Sequence, residues 1–454
     1  MQVRKIQNPE IKIQLKFEIL EFVFYFFGFF SSQSLYTAHP MPLDPHAIRR
    51  QFPFLTRKAE DKPLAYLDSA ATTQKPFVVL ERMRRFYEEQ NANINRGMHP
   101  LAEAATTTYE EARKKVATFI GANHPSEIIF TRNATESINL VARSFGECLQ
   151  RGDTIALSIL EHHSNIIPWL QLNKRQDTGI EWIELEKDGR IDLQTLEKIL
   201  QEGKTKLVSI TGLSNVLGIR TPLEKIIALA HASGAKVLVD AAQLIAHESI
   251  DVQKLDCDFL AFSGHKIYGP TGIGILYGKR ELLESMPPFL GGGDMIESVD
   301  RTGFSPAELP RKFEAGTPSI ADAIGLGASI EWIESIGVDA MHAHTKELLS
   351  YAREKLSTVK NLNILGPNSG DDLLGCISFV IDGIHPHDLT EVLGRKGICL
   401  RAGHHCTQIL HKHLGITAST RLSVGVYNTE EEIDRCVEEI KRAMQLFSKK
   451  VGSG

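Results

Sequence analysis

The sequence predicts an α/β protein, with a large domain built on a mostly parallel sheet and a smaller α+β domain after it. Three observations predict this. The 454 residues suffice for two or three domains with substantial cores. From about residue 63, short continuous apolar runs alternate with amphipathic stretches, the pattern of a parallel sheet covered by helices on both faces. Polar and ionisable residues directly follow five of the apolar runs, where the carboxyl edge of such a sheet gathers its ligands.

The elements follow in order. EIIF (127–130) precedes a helical segment in which Ile138, Val141, Phe145 and Leu149 share one face. TIALSIL (154–160), IEWIEL (180–185) and KLVSIT (206–211) are the next strands, each separated from the next by helix. After the helix TPLEKIIALAHAS come KVLVDAAQ (236–243), DFLAFSGHK (258–266) and GIGILYG (272–278), the last a candidate for an antiparallel strand after a tight turn. Pro287–Pro288 and Gly291–Gly293 close this region. A loop-like segment leads to RKFEAGTPS (311–319), then a long helical pattern to about residue 358, a strand CISFVID (376–382), and helical segments to the C-terminus.

The expected domains are a large domain over 63–310 and a small C-terminal domain over 311–454, with 43–62 packing on the small one. Residues 1–42 read as an N-terminal appendage. Within them FEILEFVFYFFGFF (17–30) is too short for an ordinary spanning helix, and Glu10, Glu18 and Glu21 fit a transit peptide poorly. The alternative is a secretory h-region, but MPLDPHAIRRQFPFL from Met41 opens like a cytosolic protein. A net charge of −5 without a Lys/Arg block speaks against nucleic acid or an anionic membrane as partner. Six scattered cysteines without CxxC suit a reducing compartment, hence a cytoplasmic location, and neither a disulfide framework nor a zinc knuckle.

Candidate chemistry sits after the strands. Lys266 in SGHKIYGPTG is either a solvated lysine or an amine held in a cleft for a carbonyl cofactor. Asp240 is either a helix N-cap or a partner for a pyridinium nitrogen. Asn133 to Glu136 resembles a capping box, and Thr135 either caps that helix or binds phosphate with its amides. RAGHHCTQILHKHLG (401–415) sets Cys406 among His404, His405, His411 and His413. His411-x-His413 diverges on a helix and His404-His405 diverges in any regular element, so a metal site is disfavoured and Cys406 reads as a nucleophile. His411 and His413 are expected at the surface of a following helix. Cys399 is expected to be a buried, unreactive control, and Cys148, Cys257, Cys376 and Cys436 to be equally structural.

YLDSAATTQKP (66–76), NRGMHPL (95–101), EHHSNIIPW (161–169), SNVLG (214–218), VLVDAAQ (237–243), FSGHKIYGPTGIGILY (262–277), GGGDMI (291–296), KFEAGTP (312–318) and RAGHHC (401–406) occur in this order. Over about residues 43–448 the chain resembles the SufS-type (group II) cysteine desulfurases of the class V aminotransferase superfamily. That resemblance implies the aspartate aminotransferase-like fold type I and pyridoxal 5'-phosphate (PLP) as cofactor. It implies an L-cysteine substrate converted to L-alanine, with sulfur left as a persulfide on the enzyme for iron–sulfur cluster assembly. It implies a homodimer and a SufE- or SufU-like sulfur acceptor.

Residue by residue, the resemblance makes Lys266 the covalent attachment point of PLP and Asp240 the partner of its pyridinium nitrogen. Gln243 would bond the phenolic oxygen and His162 stack on the ring and assist proton transfer. Asn215 would sit near that oxygen and the substrate carboxylate. Thr135, Ser263 and His265 would hold the phosphate, with Thr317 reaching in from the other subunit. Arg401 would grip the substrate carboxylate, which suits a two-pronged guanidinium. His404, His405 and Arg401 are all candidates for lowering the pKa of the Cys406 thiol. The chain departs from the family at Asn95, where histidine is common, at Ala134, where a threonine pair is common, and at Thr407, where alanine is usual. A selenocysteine lyase or another PLP-dependent carbon–sulfur lyase shares most of these motifs. An aminotransferase would leave Cys406 without a task, and a non-catalytic scaffold would leave Lys266, Asp240 and Gln243 without one.

Overall fold

A computed structural model of the protein describes residues 43–451, with side chains to residue 448; the aromatic stretch at 17–30 lies outside the described residues. The central sheet has seven strands: β1 (Ile128–Thr131), β2 (Thr154–Ser158), β3 (Gly179–Ile183), β4 (Thr205–Thr211), β5 (Lys236–Asp240), β6 (Phe259–Ser263) and β7 (Gly274–Gly278). Their spatial order is β1-β7-β6-β5-β4-β2-β3. β2, β3, β4, β5 and β6 pair in parallel, and β7 runs antiparallel to both β6 and β1, as its tight preceding turn suggested. β2, β4, β5 and β6 are buried on both faces almost without interruption, which is why they read as continuous apolar runs rather than as alternation.

Helices cover this sheet. Those that matter for the site are α1 (Pro100–Phe119), α2 (Ala134–Ser144), α3 (Ile167–Gln176) and α4 (Leu223–Ala232). α2 begins where Asn133 accepts the Glu136 amide (2.9 Å), half of the expected capping box. The Glu136 carboxylate completes a different bond, to the amide and guanidinium of Arg132. α2 stops at Ser144 and a short 3-10 turn over Gly146–Cys148 follows, yet Phe145 and Leu149 still pack against the same core as Ile138 and Val141, as the periodicity implied. Behind β1, the buried Arg113 of α1 binds Glu314, which also accepts the Phe130 amide (2.7 Å). This pair ties the KFEAGTP segment to the end of β1.

A second sheet has four strands: β8 (Leu362–Ile364), β9 (Cys376–Ile381), β10 (Arg401–Gly403) and β11 (Ser419–Ser423), in the antiparallel order β8-β9-β11-β10. β10 and β11 correct the expectation of helical segments after residue 382. They are short, and STRLS is buried at every position, so neither shows the two-residue alternation that betrays a half-exposed strand. The long helical pattern before residue 358 is two helices, α5 (Ile320–Ile336) and α6 (Val338–Ser357). They part at Gly337, whose φ of 96° a side chain would oppose.

The start of the described chain touches both regions, with Ile48, Phe52 and Leu55 in the main core beside the seven-stranded sheet. Ala65–Tyr66 pairs in parallel with Ile398–Cys399. Phe52 meets Tyr427 and Trp332 edge to face at 4.8 and 5.4 Å, and Arg49 binds Glu432 at 2.7 Å.

Candidate active site

The carboxyl ends of β1, β2, β4, β5 and β6 all open into one cavity of about 230 Å³, and the turn after β10 closes it. Its wall includes Thr135, His162, Asn215, Asp240, Gln243, Ser263, His265, Lys266, Arg401 and Cys406. These are the residues singled out in the sequence, except Thr317. Thr317 lies on a neighbouring open depression with Asn133, Glu136 and Gly272.

Local chemistry explains each placement. Lys266 ends a 3-10 turn directly after β6. Burial pushes its amine down to about 8, against the opposing pull of Asp240. Asp240 is buried at the end of β5, where its Oδ1 accepts the Ala242 amide (3.0 Å), so it caps locally and faces the cavity as well. Burial raises its carboxyl. The Gln243 amide donates to the Ala70 carbonyl (2.9 Å), and the Asn215 amide to the His405 carbonyl (2.8 Å). Ser263 Oγ accepts the Ala134 amide (2.8 Å), and Thr135 Oγ bonds Ser164 Oγ (2.7 Å). Two glycines of the motifs allow close approaches. A Cβ at Gly274 would stand 2.4 Å from the Asn133 backbone, where β7 crosses the start of α2. At Gly218 (φ +66°) it would stand 2.4 Å from the Cys376 carbonyl oxygen.

Cys406 is exposed, on a turn in which both His405 (φ 50°) and Cys406 (φ 59°) are left-handed. Such residues persist only where neighbours hold them. Here three successive carbonyls are taken. The His404 carbonyl accepts the Thr407 amide (2.9 Å) and hydroxyl (2.7 Å), the His405 carbonyl accepts Asn215, and the Cys406 carbonyl accepts the His163 amide (2.8 Å). His163 also takes the Gln408 amide on its Nε2 (3.1 Å).

Of the three groups named as neighbours of the thiol, His405 and Arg401 line the cavity, whereas His404 is exposed outside its wall. His405 Nε2 lies 3.2 Å from the Ser419 carbonyl and 3.1 Å from the Ser419 hydroxyl. His411 is a correction: it is buried, not a surface residue. One turn after Thr407 in the short helix over Gln408–His413, it faces β11, with Nε2 3.0 Å from Ser419 Oγ and Nδ1 3.0 Å from the Thr407 carbonyl. His413 is exposed, as expected. Two cysteine expectations change as well. Cys148 is exposed, and Cys399 is only half-buried, although burial still raises its thiol. Among the described residues, no group of three or more His, Cys, Asp or Glu is arranged to hold a metal ion, and no helix is long and apolar enough to cross a membrane.

Sequence reasoning missed Arg421, His163 and Glu161. Arg421 is a buried arginine on β11 that lines the cavity, donates to the Asn215 carbonyl (3.1 Å) and meets Asp68 at 3.2 Å. An arginine inside the apolar, β-branched run TASTRLSVGV was the available signal. Glu161 is fully buried and takes donors from Ser158, Asn165 and the Thr211 amide, bracing the turn that carries His162. Burial pushes its carboxyl up to about 8.

Three buried polar atoms around the cavity have no protein partner: His265 Nδ1, His405 Nδ1 and Arg421 Nε. A buried polar atom is rarely left so unless a ligand or an ordered water completes it. A helix start with hydroxyls suits a phosphate, a buried carboxyl suits a pyridinium, and a lysine amine suits an aldehyde. The donor set fits PLP.

His162, His265, His405 and His247 are pushed down by burial to about 3, 4, 2 and 3. Unfolded histidines titrate near 6.5, so below that pH the unfolded chain binds protons that the folded one refuses. The stability these rings contribute is present above that value and lost as pH falls towards 3. Urea unfolding monitored by circular dichroism is expected to show a lower midpoint at about pH 5 than at about pH 7. A midpoint that rises on acidification would contradict this.

The fold and the cavity define a PLP-dependent enzyme of fold type I. The Aminotransferase class-V family matches residues 65–436. A Streptomyces coelicolor protein described as a probable cysteine desulfurase is 46% identical, over 90% of this chain and 100% of its own. The cysteine desulfurase of Dickeya dadantii is 45% identical, over 91% of this chain and 99% of its own. The crystal structure of an Escherichia coli cysteine desulfurase, in an S-sulfonic acid form, superposes with a TM-score of 0.82 at 38% identity, covering 89% of this chain and 99% of that one. The chain belongs to the class-V aminotransferase family, and within it to the cysteine desulfurases.

Proposed function

We propose that this protein takes sulfur from L-cysteine onto Cys406 and releases L-alanine. The observation that carries the reading is an exposed thiol, on a turn pinned at three carbonyls, bordering a cavity that also holds Lys266 and Asp240. PLP bound there supplies an electron sink that makes the substrate Cα–H acidic and its carbon–sulfur bond labile.

The chain's own residues do the rest. Lys266 Nζ would hold the cofactor, and its amine, pushed down to about 8 by burial, suits a base that moves the proton at the substrate Cα near neutral pH. Asp240 holds the pyridinium nitrogen protonated. Gln243 would bond the phenolic oxygen, Asn215 would sit near it and the substrate carboxylate, and His162, kept neutral by burial, would stack on the ring. Ser263, Thr135 and His265 hold the phosphate. The buried Arg421 seats the substrate carboxylate, with Arg401 closing over it from the rim. Cys406, as thiolate, attacks the substrate sulfur. The new S–S bond forms as the Cβ–S bond breaks, and the carbon keeps the electron pair and takes a proton, giving alanine and a persulfide.

A homodimer completes the site in this reading, with Thr317 of a second copy reaching the phosphate. The persulfide then passes, in the cytoplasm, to a SufE- or SufU-like acceptor that supplies iron–sulfur cluster assembly. Incubating the pure holoenzyme with cysteine and a reductant tests the core of this: alanine and sulfide are expected in equal amounts. Pyruvate and ammonia in place of alanine would contradict it.

A further inference from the structure

Lys75 is a mostly buried ammonium that the chemistry above leaves without a task. It lies in SAATTQKP, which runs along the turn that carries Lys266. The carbonyl oxygen of His265, one half of the peptide bond to Lys266, is the meeting point of the two segments. Four donors converge on it: the Thr73 amide (3.0 Å), Thr73 Oγ (3.0 Å), Thr72 Oγ (3.1 Å) and Lys75 Nζ (3.2 Å). Thr73 Oγ in turn accepts the Tyr268 amide (2.8 Å), so residues on both sides of Lys266 are laced to one short stretch.

The ammonium itself is fully satisfied without a counter-ion. Its acceptors are the Thr73 carbonyl, the His265 carbonyl and Thr72 Oγ (3.3 Å), three for its three protons. Among the described residues it has no carboxylate partner. Burial pushes its pKa down to about 8. A lysine drawn out of water onto backbone carbonyls, with no ion pair to offset the desolvation, holds something in place or is a defect. Lys75 is not part of the cavity wall, so it does not touch a ligand there.

We propose that Lys75 is a positioning residue for Lys266: its ammonium holds the His265 carbonyl, and with it the peptide plane from which the Lys266 side chain enters the cavity. This rests on the desulfurase reading for its kinetic consequence alone. Lys266 must reach two targets in turn, the cofactor and the substrate Cα proton, and proton transfer is sensitive to small displacements. A loosened turn slows that transfer and leaves substrate binding, which uses Arg421 and Arg401, unaffected.

The test compares holoenzyme carrying Lys75→Met, which keeps the apolar stem, with wild type. Expected is a fall in kcat of about tenfold with KM for cysteine within about twofold. The isotope effect with Cα-deuterated cysteine is expected to rise, because proton removal becomes more rate-limiting. A merely structural role would lower stability without raising that isotope effect. Thr72→Val, which removes one donor to the His265 carbonyl and one acceptor of the Lys75 ammonium while keeping the side-chain shape, is expected to move both readouts the same way by a smaller factor. It decides the matter if Lys75→Met does not fold. Unchanged kcat and isotope effect in a folded variant would overturn the proposal. A second readout needs no substrate: the visible circular dichroism of the Lys266-linked cofactor, which reports how firmly the turn seats it, is expected to weaken in Lys75→Met. If wild type makes no alanine, the desulfurase reading fails, and this band still decides the role of Lys75; an unchanged band overturns it.

Discussion

Replacing Cys406 by serine is expected to leave a folded chain that binds PLP through Lys266, forms no persulfide with cysteine and releases alanine at least about 10³-fold more slowly. The reasons are geometric. The side chain is exposed and packs against nothing essential, so stability is expected to change by no more than about 0.5 kcal/mol. The turn is held through the carbonyls of His404, His405 and Cys406, which serine retains. Only the sulfur is lost, and a hydroxyl cannot accept sulfur as a thiolate does. Alanine release by amino-acid analysis, with thermal unfolding alongside, checks both halves. Alanine release at the wild-type rate would remove Cys406 from the reaction.

The second large effect is at Lys266. Lys266→Ala is expected to abolish the covalent cofactor and to lower alanine formation by at least about 10⁴-fold, because one amine both attaches the cofactor and moves the Cα proton. Borohydride reduction followed by mass spectrometry reads the attachment directly: wild type gains the cofactor on Lys266 and the variant gains none. A label on any other lysine of the variant would reassign the site. The rest of the cavity, including Asp240 and the Ser263 contact to the start of α2, does not depend on the lysine, so PLP is expected to remain bound without the covalent link.

Much of this site is visible in the sequence because a parallel sheet exposes its chemistry at one edge. VLVD, FSGHK and EHHSN each place an ionisable residue directly after a continuous apolar run, and the sheet brings those ends together. What sequence alone concealed has a common cause: it depends on contacts between distant segments. Arg421 looks like an ordinary strand arginine until β11 is seen to lie against Asn215 and Asp68. His411 looks like a surface histidine until Ser419 and Thr407 are seen to take both its nitrogens. Lys75 and His265 are 190 residues apart and meet only in the fold. β10 and β11 were missed because three and five residues, the latter buried throughout, carry no periodicity. Thr317 sits beside Asn133 but not in the cavity that Asn133 also lines, and only in the proposed homodimer would the copy on the second chain reach the phosphate.

The central claim is that Cys406 receives the sulfur of free cysteine. Its most direct test is intact and peptide mass spectrometry of the pure holoenzyme after brief exposure to cysteine. One added sulfur on the peptide carrying Cys406, with alanine in solution, is the result expected. Added sulfur on Cys399 or Cys148 instead, or none at any cysteine while the substrate is consumed, would contradict the account.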